Sequence, residues 1–144
     1  MKKIVLLIFI VLSAYGYLEK NPTFIPTSSI DDSLGPLTLD DAFANKISDI
    51  QVEGTGVVVH LFPDDTKGNR HQKFILKLSS GQTLLISHNI SLAPRIDALK
   101  KGDMVSFYGE YEWNTKGGVV HWTHRDPVGN HIGGWLKHNG SIFQ

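Results

Sequence analysis

The chain has 144 residues, with 14 Lys and Arg, 14 Asp and Glu, seven His and no Cys. This length suits one domain with a hydrophobic core, and a hydrophobic content of 41% argues against wholesale disorder. The absence of cysteine excludes disulfides, thiolate metal sites and a thiol nucleophile. No nucleotide-binding glycine loop or kinase signature is present.

The first sixteen residues have the pattern of a secretory signal peptide. Lys2 and Lys3 precede an apolar run from Ile4 to Leu12, and the small residues Ala14 and Gly16 follow it. The run is shorter than the ~20 residues that a membrane-spanning helix needs, although an uncleaved anchor is the alternative. We therefore predict export to the periplasm or the medium, and a mature chain without a membrane span.

Two segments precede the predicted strands. Residues 17–37 contain three prolines among Asn, Thr, Ser and Asp, a composition typical of a linker. A short helix is predicted over residues 39–48, because Thr38 can cap it and Asp41 follows three residues later. Its apolar face consists of Leu39, Phe43 and Ile47. The domain itself is predicted to occupy residues 38–144.

From Gln51 onward the hydrophobic period changes to two, which indicates strands. The five predicted strands are Gly54–Phe62, Lys73–Leu78, Thr83–His88, Met104–Trp113 and Val119–Thr123. The residues predicted to point inward are Phe74, Leu76, Leu78, Val105, Phe107, Tyr111, Trp113 and Trp122. Pro94 limits the segment after the third strand to a short helix or an irregular crossover. The tail from Arg125 to Gln144 is interpreted as an ordered loop with at most one short strand at its end.

Five short strands with a crossover between the third and the fourth match the order of the OB-fold, a small partly open Greek-key barrel. Glycines in the first strand are compatible with it, since barrel corners need tight bends. We predict a mainly β fold, a small OB-like five-stranded antiparallel barrel preceded by one short helix. An open antiparallel sheet with one helix, or another small barrel, is the alternative.

Long strings in the second half of the chain resemble a known family. They are HNISLAPRI (His88–Ile96), GEYEWN (Gly109–Asn114), KGGVVHWTH (Lys116–His124) and GWLKHNG (Gly134–Gly140), together with Asp126, Pro127 and His131. On these strings the chain resembles an uncharacterised bacterial family of small exported proteins, domain-of-unknown-function family 3465, over residues 50–144. The family pattern has Asp where this chain has Ser91. The resemblance implies no activity.

The end of the chain concentrates side chains that bind metals. Imidazole and carboxylate are common ligands of Zn²⁺ and other divalent first-row metals. A three-ligand site for Zn²⁺ or another divalent metal is therefore predicted from His124, Asp126 and His131, with His121 and His138 as weaker candidates. The alternatives are a hydrogen-bonded loop network and catalysis without a metal.

A hydrolase would also need a general base beside an activated water. Glu110 and Glu112 are the catalytic candidates, since both are predicted to point outward from the fourth strand. Hairpin pairing would bring His121 close to one of them. His88, at the end of the third strand, is a further candidate, and a simple turn there is the alternative interpretation.

The charges are distributed unevenly. Residues 17–65 hold nine acidic and two basic residues, whereas residues 66–144 hold five acidic residues, ten basic residues and six of the seven His. A basic, His-rich half attracts an anionic ligand. The alternative is that these residues are ordinary surface charges that bind no ligand. Trp135 either offers a stacking face to a base or sugar ring or packs the tail onto the barrel. The predicted ligand contacts are Lys73, Lys77, Arg95, Arg125, Trp135 and Lys137.

These observations predict an exported OB-like domain that binds an anionic polymer or an oligosaccharide, by analogy with the ligands of other OB-folds. The second interpretation is a metal-dependent hydrolase, such as a phosphodiesterase, centred on the His and Asp cluster. The third is a structural protein of the envelope whose His network serves only stability.

Export predicts that protein recovered from its native host has lost about sixteen residues. Cleavage after Gly16 removes the basic start and the apolar run, so the intact mass should correspond to residues 17–144. Mass spectrometry of the native protein measures this directly. A full-length species that needs detergent for extraction would contradict the prediction.

Overall fold

One helix and seven strands make up the part of the chain that the computed structural model describes, residues 37–65 and 67–144. The helix is α1 (Leu39–Ala44), and the strands are β1 (Ile50–Leu61), β2 (His71–Leu78), β3 (Thr83–Asn89), β4 (Met104–Glu112), β5 (Val119–His121), β6 (Trp135–His138) and β7 (Ser141–Phe143). The predicted signal peptide, and all of the predicted linker except Leu37, lie outside these ranges. Within them, no helix is both long and apolar enough to cross a membrane.

α1 begins where the sequence predicts and ends four residues earlier. The Thr38 hydroxyl accepts the Asp41 amide, and the Asp41 carboxylate accepts the Thr38 amide, which completes a capping box. The helix ends at Ala44, because Lys46 has a φ of 55°, a left-handed conformation that cannot continue an α-helix. Ile47 packs against the core from outside the helix.

β1 is the strand through which the barrel closes. Its first part, from Ile50 to Val57, pairs with β4, and its second part, from Gly56 to Leu61, pairs with β2. The remaining neighbours are β2 with β3, β3 with β5 and β5 with β4, so the five strands form a closed ring. This ring confirms the predicted OB-like barrel, and β6 and β7 extend it at the β4 edge.

The barrel is mostly antiparallel, as predicted, and one pair in the ring is parallel. β3 and β5 run in the same direction, whereas the other four pairs are antiparallel. The reason is geometric: strand directions cannot alternate around a closed ring with an odd number of strands, so one neighbouring pair has to be parallel.

Two glycines let β1 lie directly on the core. A Cβ on Gly54 would lie 2.6 Å from the Phe107 ring, and a Cβ on Gly56 would lie 2.9 Å from the Leu76 Cβ. A side chain at either position would displace a buried residue, so the missing Cβ is what allows the close approach. A register shift between Val58 and His60 adds a bulge where the strand turns from β4 towards β2.

Most of the residues predicted to point inward form the core. Those that are fully buried are Phe74, Leu76, Val105, Phe107 and Tyr111. Leu78 and Trp113 pack against the edge of the core. The prediction for Trp122 is wrong, because β5 ends at His121 and Trp122 has a φ of 52°. This turn buries Thr123 instead and leaves Trp122 half-buried outside the core.

The crossover between β3 and β4 is irregular, which is one of the two forms predicted from Pro94. Gln72 on β2 holds it in place. The side-chain amide of Gln72 donates to the Ile96 carbonyl at 2.9 Å, and its side-chain oxygen accepts the Ile96 amide at 2.9 Å. Ile96 and Leu99 are thereby buried against the barrel.

The tail after β5 is more regular than predicted. β6 pairs antiparallel with β4, and β7 pairs antiparallel with β6. Leu136 on β6 is fully buried in the core, and Phe143 on β7 packs against the core. The prediction allowed one short strand at the end of the tail but not two, because segments of three or four residues are too short for a period of two to stand out.

Because Leu136 belongs to the core, Leu136→Ala should lower the free energy of unfolding by about 2–5 kcal/mol, through lost burial and the cavity left behind. Ile142 on β7 is 56% exposed, so the control Ile142→Ala should change it by no more than about 0.5 kcal/mol. Urea unfolding of both variants measures the difference. Small and equal effects would show that the tail does not stabilise the barrel.

Candidate functional site

Every second residue of β4 points away from the core. These outward residues are Met104, Ser106, Tyr108, Glu110 and Glu112. The neighbouring strands extend the surface, since Gln51 on β1 and His121 on β5 both pair with Glu110. We call this surface the β4 face, and it comprises the five outward residues together with Gln51, His121, Trp122, His131 and Trp135.

Glu110 lies between two imidazoles. Its Oε2 accepts a hydrogen bond from His131 Nε2 at 2.7 Å, and its Oε1 lies 3.3 Å from His121 Nε2. Glu112 Oε1 lies 4.0 Å from the same His121 nitrogen. The proximity of His121 to both carboxylates confirms what hairpin pairing of the fourth and fifth strands predicts.

Both ring nitrogens of His131 face acceptors, an arrangement that favours the protonated imidazolium. Nδ1 donates to the Ile132 carbonyl at 2.7 Å, and Nε2 donates to Glu110. Partial burial acts to lower the pKa of His131, but the hydrogen bonds to Glu110 and Ile132 outweigh it and raise the pKa. The ring is stacked on Trp122, with 3.9 Å between centroids and 8° between planes, and an aromatic face attracts a cation.

The loop from Trp122 to Gly134 carries His131 to Glu110. Asp126 organises this loop, since its carboxylate accepts the backbone amides of Val128, Asn130 and His131. These bonds lower the pKa of Asp126, and the bond from Val128 has the largest effect. At the end of the loop, a Cβ on Gly134 would collide with the carbonyl oxygens of Tyr108 and Trp122, so the chain passes β4 at a distance that only glycine permits.

Glu112 lies beside Asp49. Burial, followed by the neighbouring Asp49 carboxyl, raises the pKa of Glu112, against the opposing effect of Ser48. Burial also lowers the pKa of His121 in spite of the nearby Glu110. At neutral pH His121 is therefore a neutral imidazole with one nitrogen lone pair available.

Two polar atoms beside Glu110 are buried without a hydrogen-bond partner, His121 Nε2 and Gln51 Oε1. The separation of 3.3 Å between His121 Nε2 and Glu110 therefore lacks the geometry of a hydrogen bond. In the described part of the chain, one group of three His, Asp or Glu side chains has ligand atoms within 4.8 Å of one another. Its members are Glu110, Glu112 and His121.

The ligands predicted first for a metal are His124, Asp126 and His131. The structure does not bring these three into such a group. Asp126 accepts backbone amides of its own loop, and His131 is hydrogen-bonded to Glu110 and to the Ile132 carbonyl. His124 Nδ1 donates to a backbone carbonyl at 2.8 Å. His138, a weaker candidate, is buried on β6 with its Nε2 at 2.8 Å from an Asp103 oxygen. Of the five predicted ligands, His121 alone belongs to the group that includes Glu110.

The basic residues predicted to contact a ligand are spread over four parts of the fold, which are β2, the crossover, the loop after β5 and β6. Lys73 on β2 is 2.6 Å from Asp65, and Arg95 in the crossover is 2.8 Å from Asp64. These two positive charges are therefore paired within the protein. The other basic candidates are exposed, and they are Lys77 on β2, Arg125 in the loop and Lys137 on β6.

Trp135 on β6 is the register partner of Tyr108 on β4. Their ring centroids are 6.3 Å apart with 29° between the planes, so the two half-buried rings are stacked. Tyr108 is also one of the two outward residues next to Glu110 along β4. The aromatic pair therefore adjoins the carboxylate.

His88 is a buried residue of the interior. Its Nε2 donates to the Pro94 carbonyl at 3.1 Å, and its Nδ1 accepts the Thr123 hydroxyl at 2.9 Å. Burial lowers the pKa of His88 to about 4, so the ring is neutral at pH 7. Both nitrogens hold β3, the crossover and the loop together, which leaves neither for a substrate.

A cleft of about 250 Å³ borders the β4 face, and its lining residues are Asn69, His71, Ser87, Asn89, Leu92, His121, Trp122 and His124. A larger cleft of about 540 Å³ lies over β1 and β2, and its lining contains one titratable side chain, Lys77. Because chemistry requires groups that accept or donate protons or bind metals, we place the candidate site at the β4 face and the smaller cleft.

Glu110, Glu112 and His121 are all predicted from the sequence, but with a catalytic role for the two carboxylates and a metal-binding role for the imidazole. Gln51 and Trp122 are not predicted as site residues. A first strand starting at Ile50 would have revealed Gln51, since alternation then turns it outward and Val52 inward. Nothing in the local sequence shows that Trp122 takes a positive φ.

The fold and the site define an OB-like barrel domain with an acidic, His-containing outer face. The model of the family described as "Protein of unknown function (DUF3465)" matches residues 25–144. The chain belongs to this family, and the resemblance noted from its sequence is confirmed. A comparison with curated proteins found no match. The bacterial origin and the export of the protein stay predictions, and the function has to be argued from the site.

The buried, neutral His88 should make the protein sensitive to acid. The unfolded state takes up the His88 proton near pH 6.5, whereas the folded state does so only near pH 4. Stability from this residue is therefore complete above about pH 6.5 and is lost as the pH falls towards 4, by about 3 kcal/mol in total.

Urea unfolding of the wild type and of His88→Gln across this pH range measures the effect. Gln can hydrogen-bond like the neutral imidazole but does not titrate, so the free energy of unfolding should depend less steeply on pH in the variant. Equal slopes in the two proteins would contradict the assignment.

Proposed function

We propose that this protein is an OB-like binding domain that holds an uncharged oligosaccharide on the β4 face. The observation that carries the proposal is the stacked Tyr108–Trp135 pair beside the Glu110 carboxylate. The C–H face of a sugar ring packs on aromatic rings, and carboxylates accept hydrogen bonds from its hydroxyls. The ligands of other OB-folds support the proposal by analogy.

A second aromatic pair lies on the same face. Trp122 is stacked on His131, which in turn is hydrogen-bonded to Glu110. Because Gly134 lies against the carbonyls of both Tyr108 and Trp122, the two aromatic pairs are neighbours. An extended ligand would meet aromatic surface together with the Glu110 carboxylate.

The charges of the face favour an uncharged ligand over an anionic polymer. Glu110 and Glu112 point outward from β4, and the exposed Glu53 pairs with Tyr108 from β1. Two of the predicted anion contacts, Lys73 and Arg95, are paired with carboxylates. A polyanion at this face would meet charges of its own sign.

A metal-dependent hydrolase is the second candidate. The group of Glu110, Glu112 and His121 beside the smaller cleft supports it, since three protein ligands leave a position on a metal for an activated water. Hydrolysis requires a metal and a scissile bond correctly placed in the cleft. Binding requires only the face itself, and it is therefore the function that we put first.

We also propose that the domain acts after export. The support is the basic start and the short apolar run of residues 1–16. An exported domain without cysteine cannot be stabilised by disulfides and depends on burial of apolar side chains. The closed barrel has such a buried hydrophobic core.

Trp135→Ala should weaken the binding of a neutral hexasaccharide at least tenfold, or about 1.4 kcal/mol, because the stacking surface is lost. Isothermal titration with cellohexaose, maltohexaose and chitohexaose measures the affinity. Phe62→Ala is the matched control, since Phe62 is a 39% exposed aromatic residue that follows β1 outside the β4 face. This control should bind like the wild type.

Binding of an uncharged ligand should also change little with salt, because no counterions are released. Equal affinity of wild type and Trp135→Ala would contradict the proposal, as would steeply salt-dependent binding of an oligonucleotide in place of a sugar. New reducing ends formed from the hexasaccharides in the presence of Zn²⁺ or Mn²⁺ would favour the hydrolase.

A further inference from the structure

We propose that Glu110, Glu112 and His121 bind a divalent first-row metal ion, of which Zn²⁺ is the best fit. One ligand atom from each residue lies within 4.8 Å of the other two. The fold brings them together, because Glu110 and His121 are register partners and Glu112 follows Glu110 on the same face of β4. The proposal does not depend on the binding of an oligosaccharide.

The main support is the buried nitrogen of His121. Its Nε2 is shielded from solvent and makes no hydrogen bond, an arrangement that is unfavourable in a folded protein unless another partner binds the atom. Gln51 Oε1 is buried and unpartnered as well, and Gln51 pairs with Glu110 from the opposite strand. Glu110 thus has, on each neighbouring strand, a register partner with one buried polar atom that lacks a hydrogen-bond partner, and a bound cation would satisfy such atoms.

The distances between the ligand atoms fit a small metal ion. With bonds of about 2.0–2.2 Å, neighbouring ligands of a tetrahedral Zn²⁺ lie about 3.3–3.6 Å apart. His121 Nε2 is 3.3 Å from Glu110 Oε1 and 4.0 Å from Glu112 Oε1. The first separation already has the required value, and the second exceeds it by about 0.4 Å.

The surroundings orient the ligands, which themselves supply the charge. His131 occupies Oε2 of Glu110, so Oε1 is the oxygen that faces His121. Hydrogen bonds of this kind hold ligating carboxylates in place in metal sites. The two ligating carboxylates, Glu110 and Glu112, supply negative charge. An imidazole nitrogen among carboxylates favours a first-row metal over Mg²⁺ or Ca²⁺, which prefer oxygen alone.

Isothermal titration of Zn²⁺ into metal-free protein without a His tag, at neutral pH, tests the proposal. The wild type should bind one equivalent with a micromolar or lower Kd, and Glu112→Gln and His121→Gln should each bind at least tenfold more weakly. Glu53→Gln is the matched control, since it makes the same change at an exposed Glu of β1. It should bind Zn²⁺ like the wild type.

Thermal unfolding provides a second readout. Zn²⁺ at a fixed concentration should raise the Tm of the wild type and of Glu53→Gln by more than that of Glu112→Gln, because binding to the folded state stabilises it by an amount that rises with the affinity. Glu112 is an outward side chain at the end of β4, so Glu112→Gln keeps the proposal testable even if His121→Gln fails to fold.

Three outcomes would overturn the proposal. The first is a wild-type Kd in the millimolar range or above. The second is equal affinity of the wild type, Glu112→Gln and His121→Gln. The third is loss of binding in His124→Ala with normal binding in His121→Gln, which would assign the metal to the ligands predicted from sequence.

Discussion

The pairing of β1 with two partners fixes where every side chain of β4 points. β1 joins β4 along its first part and β2 along its second part, so the barrel is closed through this strand. A slip of β4 by one residue would exchange its faces, placing Glu110 in the core and Phe107 in solvent. The burial of the apolar face of β4 therefore enforces the exposure of its acidic face.

The hydrogen bond between His131 and the Glu110 carboxylate attaches the loop after β5 to the barrel. The side chains of His131 and Glu110 are 23% and 18% exposed, so the hydrogen bond between them is partly shielded from water. Asp126 shapes the loop through three backbone amides, and Gly134 returns it to β4. An electrostatic contact and local turns, rather than apolar burial, thus position the loop on the β4 face.

The strand pattern could be predicted because it is a local property of the sequence. In β2 and β4 the apolar residues alternate with polar ones, and Phe74 and Phe107 are buried as that alternation requires. The start of the helix was also local, since the capping box spans only Thr38 to Asp41. The end of the helix could not be predicted locally, because Lys46 has a left-handed backbone conformation. Most residue types adopt that conformation only under tertiary constraint.

The sequence by itself determined which residues face inward and outward on the main strands, and hence that Glu110 and Glu112 lie on the outside together. Only the tertiary structure decided which side chains meet them. Gln51 reaches Glu110 through the β1–β4 pairing, and His131 reaches it through the path of the loop. Contacts between residues far apart in the chain arise from barrel closure, which depends on the whole core at once and leaves no periodic signal in the residues concerned.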